Sequence, residues 1–283
     1  MMSRITVSTR RLTVGGVSTP LREAGPAGDR EAVVFLHGNP GSGADWDGLL
    51  TRVGGFARAI AWDAPGFGQA DKPRDFPHTV DGHAAYVAGA LDTLGVERAH
   101  LVMHDFGGAW GLAWAVARPE RFASAVLVDT GALIGYRWHR LARVWQTPVV
   151  GELFMAATTR RAFRAILGIG DPSGLPRDFL DRMFDDFDRD TRRAVLRLYR
   201  SARDIEGFSR RTSASLRPLR RPALVVWGAH DPYLPVTHAR RQDVAFPDPE
   251  AHVFDHSGHW PFIDAPDRCA TLVTNFLQRN IAR

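Results

Sequence analysis

The sequence predicts an α/β fold: a parallel sheet with helices on both faces, interrupted once by a helical insertion. Three observations predict it. First, short apolar runs closed by turn residues recur at EAVVFLHG (31–38), ARAIAWD (57–63), AHLVMHD (99–105), SAVLVDT (124–130), ALVVWGAHD (223–231) and AHVFDHSGH (251–259). Runs of this length, rich in β-branched residues, read as buried strands. Second, helical patterns alternate with them, as in TVDGHAAYVAGALDTLG (79–95) and GGAWGLAWAVARPERF (107–122), and strand–helix alternation places parallel strands between layers of helices. Third, the alternation stops between residues 133 and 218, where the pattern is helical, aromatic-rich and broken around GIGDPSGLP. Residues 1–132 and 219–283 then form one core, and 133–218 a helical cap inserted between the sixth and seventh strands. Ligands of open α/β sheets bind at the carboxyl ends of the strands, the edge from which such a cap emerges.

The bulk numbers fit an ordinary globular protein. The chain has 283 residues, 45% hydrophobic and 24% charged. A chain of this size buries most of its unfolded surface without disulfide or metal support. Its single cysteine, Cys269, excludes an intrachain disulfide and suggests a reduced, cytoplasmic setting. The N-terminal MMSRITVSTRRLTV alternates and lacks the apolar core of a leader. No apolar stretch approaches the roughly 18 residues of a membrane span. The net charge of +5 comes from arginines crowded between 137 and 221, interleaved with aspartates and apolar residues as in DRDTRRAVLRLYRSARD. That spacing describes solvated faces of amphipathic helices; with no recognition motif present, no nucleic-acid partner is expected. Monomer and homodimer both stay open.

The chemistry is concentrated at strand ends. LVMHDFGGAWG runs from a strand into a helix, with Asp105 at the turn and Gly107 two residues on. Such a turn exposes a nucleophile at the top of the sheet, although an aspartate there also makes a good N-cap. Two further strand ends decide between these readings. ALVVWGAHDPYLP places Asp231, and FDHSGHWPFIDAP places His259, in the chain order nucleophile, acid, histidine. Asp129, which closes SAVLVDT, is a rival for the acid or a cap for the insertion.

HGNPGS (37–42), DAPGFGQADKP (63–73), MHDFGGAWG (103–111), GAHDPYLP (228–235) and SGHWPFIDAPD (257–267) resemble the aspartate-nucleophile branch of the α/β-hydrolase superfamily, which holds epoxide hydrolases, haloalkane dehalogenases and fluoroacetate dehalogenases. The resemblance spans essentially the whole chain outside the cap. It implies a mostly parallel eight-stranded sheet and attack by Asp105 on an sp³ carbon, with no metal or organic cofactor. His259 then directs water onto the resulting ester, Asp231 orients the imidazole, and the backbone N–H groups of Asn39 and Phe106 form the oxyanion hole.

The leaving group is less determined. An opening epoxide needs a hydroxyl donor, and the cap holds two tyrosines, Tyr136 and Tyr199. Tyr199, in RLYRSARD, resembles the second lid tyrosine of epoxide hydrolases in type and place. Phe106 stands where dehalogenases resembling this chain carry a tryptophan. Asn39 and Met103 point the other way, toward halide, and Trp138 or Trp145 can supply a donor or line an apolar pocket. Fluoroacetate dehalogenases resemble the chain less, because GGAWGLAW has no arginine. The expectation is hydrolysis of an epoxide on a small, apolar substrate. Haloalkane dehalogenation is the alternative, and a non-catalytic ligand-binding relative of the fold is the reading from another class.

Overall fold

A computed structural model describes residues 5–169, 171–172 and 174–281. The start of the alternating N-terminal run, residues 1–4, and positions 170 and 173 of GIGDPSGLP lie outside them, as do 282–283. The strands are β1 (Ser8–Val14), β2 (Val17–Ala24), β3 (Glu31–Leu36), β4 (Arg58–Trp62), β5 (Arg98–His104), β6 (Phe122–Val128), β7 (Ala223–Gly228) and β8 (Glu250–Phe254). They form one sheet in the order β1-β2-β4-β3-β5-β6-β7-β8. β2 pairs antiparallel with both β1 and β4, and every other neighbouring pair is parallel.

The central strands are apolar on both faces because both faces are covered. Val33 and Phe35 of β3 pack into one core with Trp46, Leu50, Val273 and Phe276. Their neighbours Val34 and Leu36 face the other, with Leu91, Leu112 and Trp114. This is the two-residue period of a strand dividing one run between two layers. Helices α1 (Asp47–Val53) and α11 (Pro266–Asn280) pack together, as do α2 (Val80–Thr93) and α3 (Phe106–Ala117). Thr79 caps α2 by accepting the Gly82 N–H at 3.0 Å. α3 stops before Pro119 rather than running to 122, since the residue preceding a proline is pushed out of the helical region.

Between β6 and β7 lie α4 (Arg140–Gln146), α5 (Val150–Ala157), α6 (Arg160–Leu167), α7 (Arg177–Asp185), α8 (Arg189–Ser201) and α9 (Ile205–Leu216), with no strand among the described residues. The insertion is tied to the core through charge. Arg182 of α7 donates to Asp45 at 2.8 Å and Ser42 at 3.0 Å, and Lys72 pairs with Asp188 at 2.7 Å. Its arginines are answered locally: Arg164 by Asp181, and Arg200 by Glu152. Among the described residues no helix is long and apolar enough to cross a membrane.

Candidate active site

Asp105 sits between β5 and α3 with φ 48° and ψ −123°, a conformation that non-glycine residues rarely adopt. Strain of this kind costs about 1–3 kcal/mol. Burying one large apolar side chain returns about as much, and Trp46, Trp110, Trp227 and Trp260 are all buried within this framework. The turn is also packed shut. A Cβ on Gly38 would lie 2.3 Å from the Asp105 Cβ, and one on Gly107 would lie 2.3 Å from the Leu36 carbonyl oxygen, so both approaches require glycine. Thr130 donates from its hydroxyl to the Asp105 carbonyl at 2.7 Å. The N-cap alternative fails, because the Asp105 side chain caps nothing in α3.

The carboxylate is divided in use. Oδ1 accepts the Asn39 N–H at 2.8 Å, and the neighbouring Phe106 N–H favours the charged carboxylate. Oδ2 lies 3.8 Å from His259 Nε2. On the far side of the imidazole, Nδ1 is 2.7 Å from Asp231 Oδ2. Asp231 Oδ1 accepts the N–H groups of Tyr233 at 2.7 Å and Leu234 at 2.9 Å, which sets the carboxylate's orientation. Asp105, Asp231 and His259 therefore converge as the strand-end order predicts. Asp129 lies beside them at the end of β6, but Asp231 holds the His259 nitrogen. His104, deeply buried, donates from Nε2 to the His259 carbonyl at 2.8 Å and fixes the loop from below.

Burial and charge set the protonation states. Desolvation raises the Asp105 pKa, against the opposing pull of His259 and the two backbone donors. Burial works against an imidazolium at His259, but the charge and hydrogen bond of Asp231, together with Asp105, outweigh it, so the His259 pKa lies above the ordinary 6.5. A general base must be neutral to accept a proton. Where hydrolysis by His259 limits turnover, kcat is accordingly expected to fall with decreasing pH as the imidazole is protonated. A pH profile of kcat checks this, and a kcat independent of pH across the histidine range contradicts it.

A narrow cavity of about 30 Å³ opens on the nucleophile, walled by Asp105, Phe106, Ala109, Trp138, Ile205 and Phe208 among others. Ile205 and Phe208 also line a larger cleft of about 510 Å³ between α2, α3 and α9, so the cavity adjoins the surface along α9. The space is smaller than the cap's aromatic content suggests, because the aromatic rings fill one another's gaps: Phe106 stacks on Trp138 at 6.0 Å, and Tyr199 meets Phe106 at 5.0 Å and Trp145 at 4.7 Å.

The structure separates the cap residues by what their polar atoms do. Tyr199 on α8 is buried, and burial together with the nearby Asp105 charge holds its pKa far above the usual range, so it keeps its proton. Its oxygen accepts from Asn39 Nδ2 at 3.4 Å, which leaves the hydroxyl hydrogen free to donate. Tyr136 is a correction. Its hydroxyl donates to the Tyr233 carbonyl at 3.1 Å and accepts the His139 N–H at 3.4 Å, because a residue so close to the end of β6 packs on the acid loop. Trp138 forms a wall, but its indole N–H is spent on the Ala202 carbonyl at 3.1 Å. Met103 is fully buried under α3, where a Cβ on Gly111 would touch its sulfur, so it says nothing about the substrate.

One polar residue escaped the sequence reading. His139 caps α4, its Nδ1 accepting the Ala142 N–H at 3.1 Å. Burial, with the charge of His259, lowers its pKa to about 4. It is thus neutral with the hydrogen on Nε2, and its ring centre lies 5.1 Å from that of Tyr233 and 6.2 Å from that of Tyr199. A histidine directly after a cap tryptophan was the available signal.

Comparison with known proteins agrees with this layout. The family model for the alpha/beta hydrolase fold matches residues 31–266. A 2-hydroxy-6-oxononadienedioate/2-hydroxy-6-oxononatrienedioate hydrolase of Comamonas testosteroni is 28% identical over 258 residues, covering 89% of each chain. A 2-hydroxy-6-oxo-6-phenylhexa-2,4-dienoate hydrolase of Burkholderia cepacia is 29% identical over the same length and the same shares. Among solved structures, the haloalkane dehalogenase DbeA of Bradyrhizobium elkani superposes with a TM-score of 0.84 at 24% identity, covering 97% of this chain and 98% of that one. With its eight-stranded sheet, the strand-to-helix turn at Asp105 and a family match over most of its length, this chain belongs to the α/β-hydrolase fold family.

Proposed function

We propose that the protein hydrolyses its substrate through a covalent ester on Asp105, and that the substrate is a small apolar epoxide opened to a diol. The observation that carries the reading is the divided carboxylate: Oδ1 is held by Asn39 N–H while Oδ2 faces the cavity and His259. Oδ2 attacks an sp³ carbon of the ring, the C–O bond breaks, and the leaving oxygen takes the Tyr199 hydrogen. In the second half, His259 removes a proton from water, which attacks the Asp105 carboxyl carbon. Negative charge then develops on Oδ1, which the Asn39 N–H already holds, with the Phe106 N–H as the second proposed donor. The Cγ–Oδ2 bond breaks, Oδ2 leaves as one hydroxyl of the diol, and the water oxygen remains in the restored carboxylate. The His259 proton returns to the Tyr199 oxygen through solvent.

A carboxylate attacking the ketone of an oxo-dienoate would form a mixed anhydride, a less favourable route than displacement at sp³ carbon. The substrates named for the curated relatives are for that reason not assigned to this chain. Halide release is the second reading, favoured by one specific feature: the Trp145 indole N–H is buried with no hydrogen-bond partner beside Tyr199.

Tyr199→Phe separates the two. Loss of a general acid lowers kcat by about 10²-fold or more on an epoxide. Steady-state assays on a panel of small epoxides and haloalkanes, following diol and halide, supply the comparison. Unchanged epoxide turnover in Tyr199→Phe removes Tyr199 from the chemistry, and halide release without epoxide opening selects the second reading.

A further inference from the structure

The mechanism leaves one buried carboxyl unused. Asp129 ends β6 in a strained conformation, φ 43°, and is fully buried. Its backbone N–H is fixed to the Val226 carbonyl at 3.0 Å, and Oδ1 accepts the Gly228 N–H at 3.0 Å. Oδ2 is buried without a hydrogen-bond donor, and the charged group that acts most strongly on the carboxyl is the neighbouring Asp231. Ligand-type atoms of Asp129, Asp231 and His259 all lie within 4.8 Å of one another. Two carboxyls in such contact cannot both be ionised without mutual repulsion, so one keeps a proton.

The donors decide which. Asp231 accepts three, from Tyr233 N–H, Leu234 N–H and His259 Nδ1, and each favours its charged form. Asp129 accepts one. The His259 imidazole is the one titratable cation of this cluster, and its Nδ1 is engaged by Asp231; Asp264 on the short helix α10 (Pro261–Asp264) adds like charge. Cys269 on α11 is a neutral thiol, pushed up to about 12 by burial with Asp129 contributing. Desolvation and the Asp231 charge both raise the Asp129 pKa well above the carboxylate range.

We infer that Asp129 is a neutral carboxylic acid that donates its hydrogen bond to Asp231, a positioning residue that holds the acid of the site without adding charge to it. Asp231 is then gripped from both sides, by the imidazole and by the Asp129 hydroxyl. The activity arm of the test rests on the hydrolytic reading above; the spectroscopic arm does not.

Asp129→Asn keeps a donor of similar shape and replaces a neutral group with a neutral group. Titration of the His259 imidazole by nuclear magnetic resonance in the full-length protein is expected to show its midpoint moving by less than about 0.3 unit. Infrared spectra at neutral pH are expected to show a protonated carboxyl stretch in the parent that is missing from this variant. Asp129→Ala, which deletes the donor, is expected to lower kcat about 10-fold with KM within about twofold, and Asn to restore it. A fall of about one unit or more in the His259 midpoint of Asp129→Asn overturns the proposal, because it means a negative charge was lost. An infrared spectrum unchanged by the substitution overturns it as well. If Asp129→Ala does not fold, the Asn variant decides alone. If no substrate is turned over by the parent, the two spectra still decide while the hydrolytic reading falls.

Discussion

On the proposed mechanism, replacing Asp105 with alanine is expected to abolish turnover, by about 10³-fold or more, because the attacking carboxylate is removed and no neighbouring group is placed to substitute for it. Asp231 and Asp129 are turned away from the cavity, and no serine occupies the turn. The same substitution is expected to leave a second trace. The Asp105 charge contributes to the raised His259 pKa, so its removal is expected to lower the imidazole midpoint even where no activity can be read. Esterification neutralises that charge just as the substitution does. The alkylated enzyme thus presents a more readily neutral imidazole to water than the resting enzyme does, and the first half-reaction prepares the base for the second. A variant with full turnover, or with an unmoved His259 midpoint, contradicts this account of the site.

The second large effect is expected from His259→Gln. The attack by Asp105 needs no proton transfer to His259, whereas ester hydrolysis does. The variant is therefore expected to react once and stop, accumulating close to one equivalent of alkylated protein, with the label on the peptide that contains Asp105. The added mass is itself diagnostic. Ring opening retains every atom of an epoxide, so the adduct gains the full substrate mass; displacement of halide gains the substrate mass less that of the hydrogen halide. Intact-protein mass spectrometry reads both. If neither an epoxide nor a haloalkane leaves an adduct while the parent turns over, the carboxylate is not the nucleophile.

Much of this architecture was legible in the residues. Each of the six runs read as strands contains a strand; β3 to β7 are buried in the middle of the sheet, whereas β8 is its edge and only Phe254 there is buried. The predicted runs overshoot at the carboxyl end: 223–231 against Ala223–Gly228, and 251–259 against Glu250–Phe254. The chain there passes through exposed His230, and through exposed Asp255 and His256, before Asp231 and His259 are buried. β1 was harder to see as an element because five of its seven residues are exposed. The convergence of Asp105, Asp231 and His259 was legible because each follows a strand and their order is informative. The cap could not be resolved in the same way. Tyr136, Trp138 and Tyr199 share a composition and differ only in where their polar atoms point, which depends on contacts to Tyr233, Ala202 and Asn39 far along the chain. The Asp129–Asp231 contact is invisible for the same reason, since it joins the ends of two neighbouring strands separated by the whole insertion.

The turn at Asp105 has a consequence for how this scaffold can change. Its position is held by backbone: the Thr130 hydroxyl on the Asp105 carbonyl, and glycines at 38 and 107 that admit no side chain. None of these restraints reads which side chain position 105 carries. Location and reagent are thereby separate inheritances. An exchange of the side chain at 105 is therefore expected to leave the turn that presents it in place. The fold behaves as a socket, and diversification of the reaction needs far fewer steps than the diversity of products suggests.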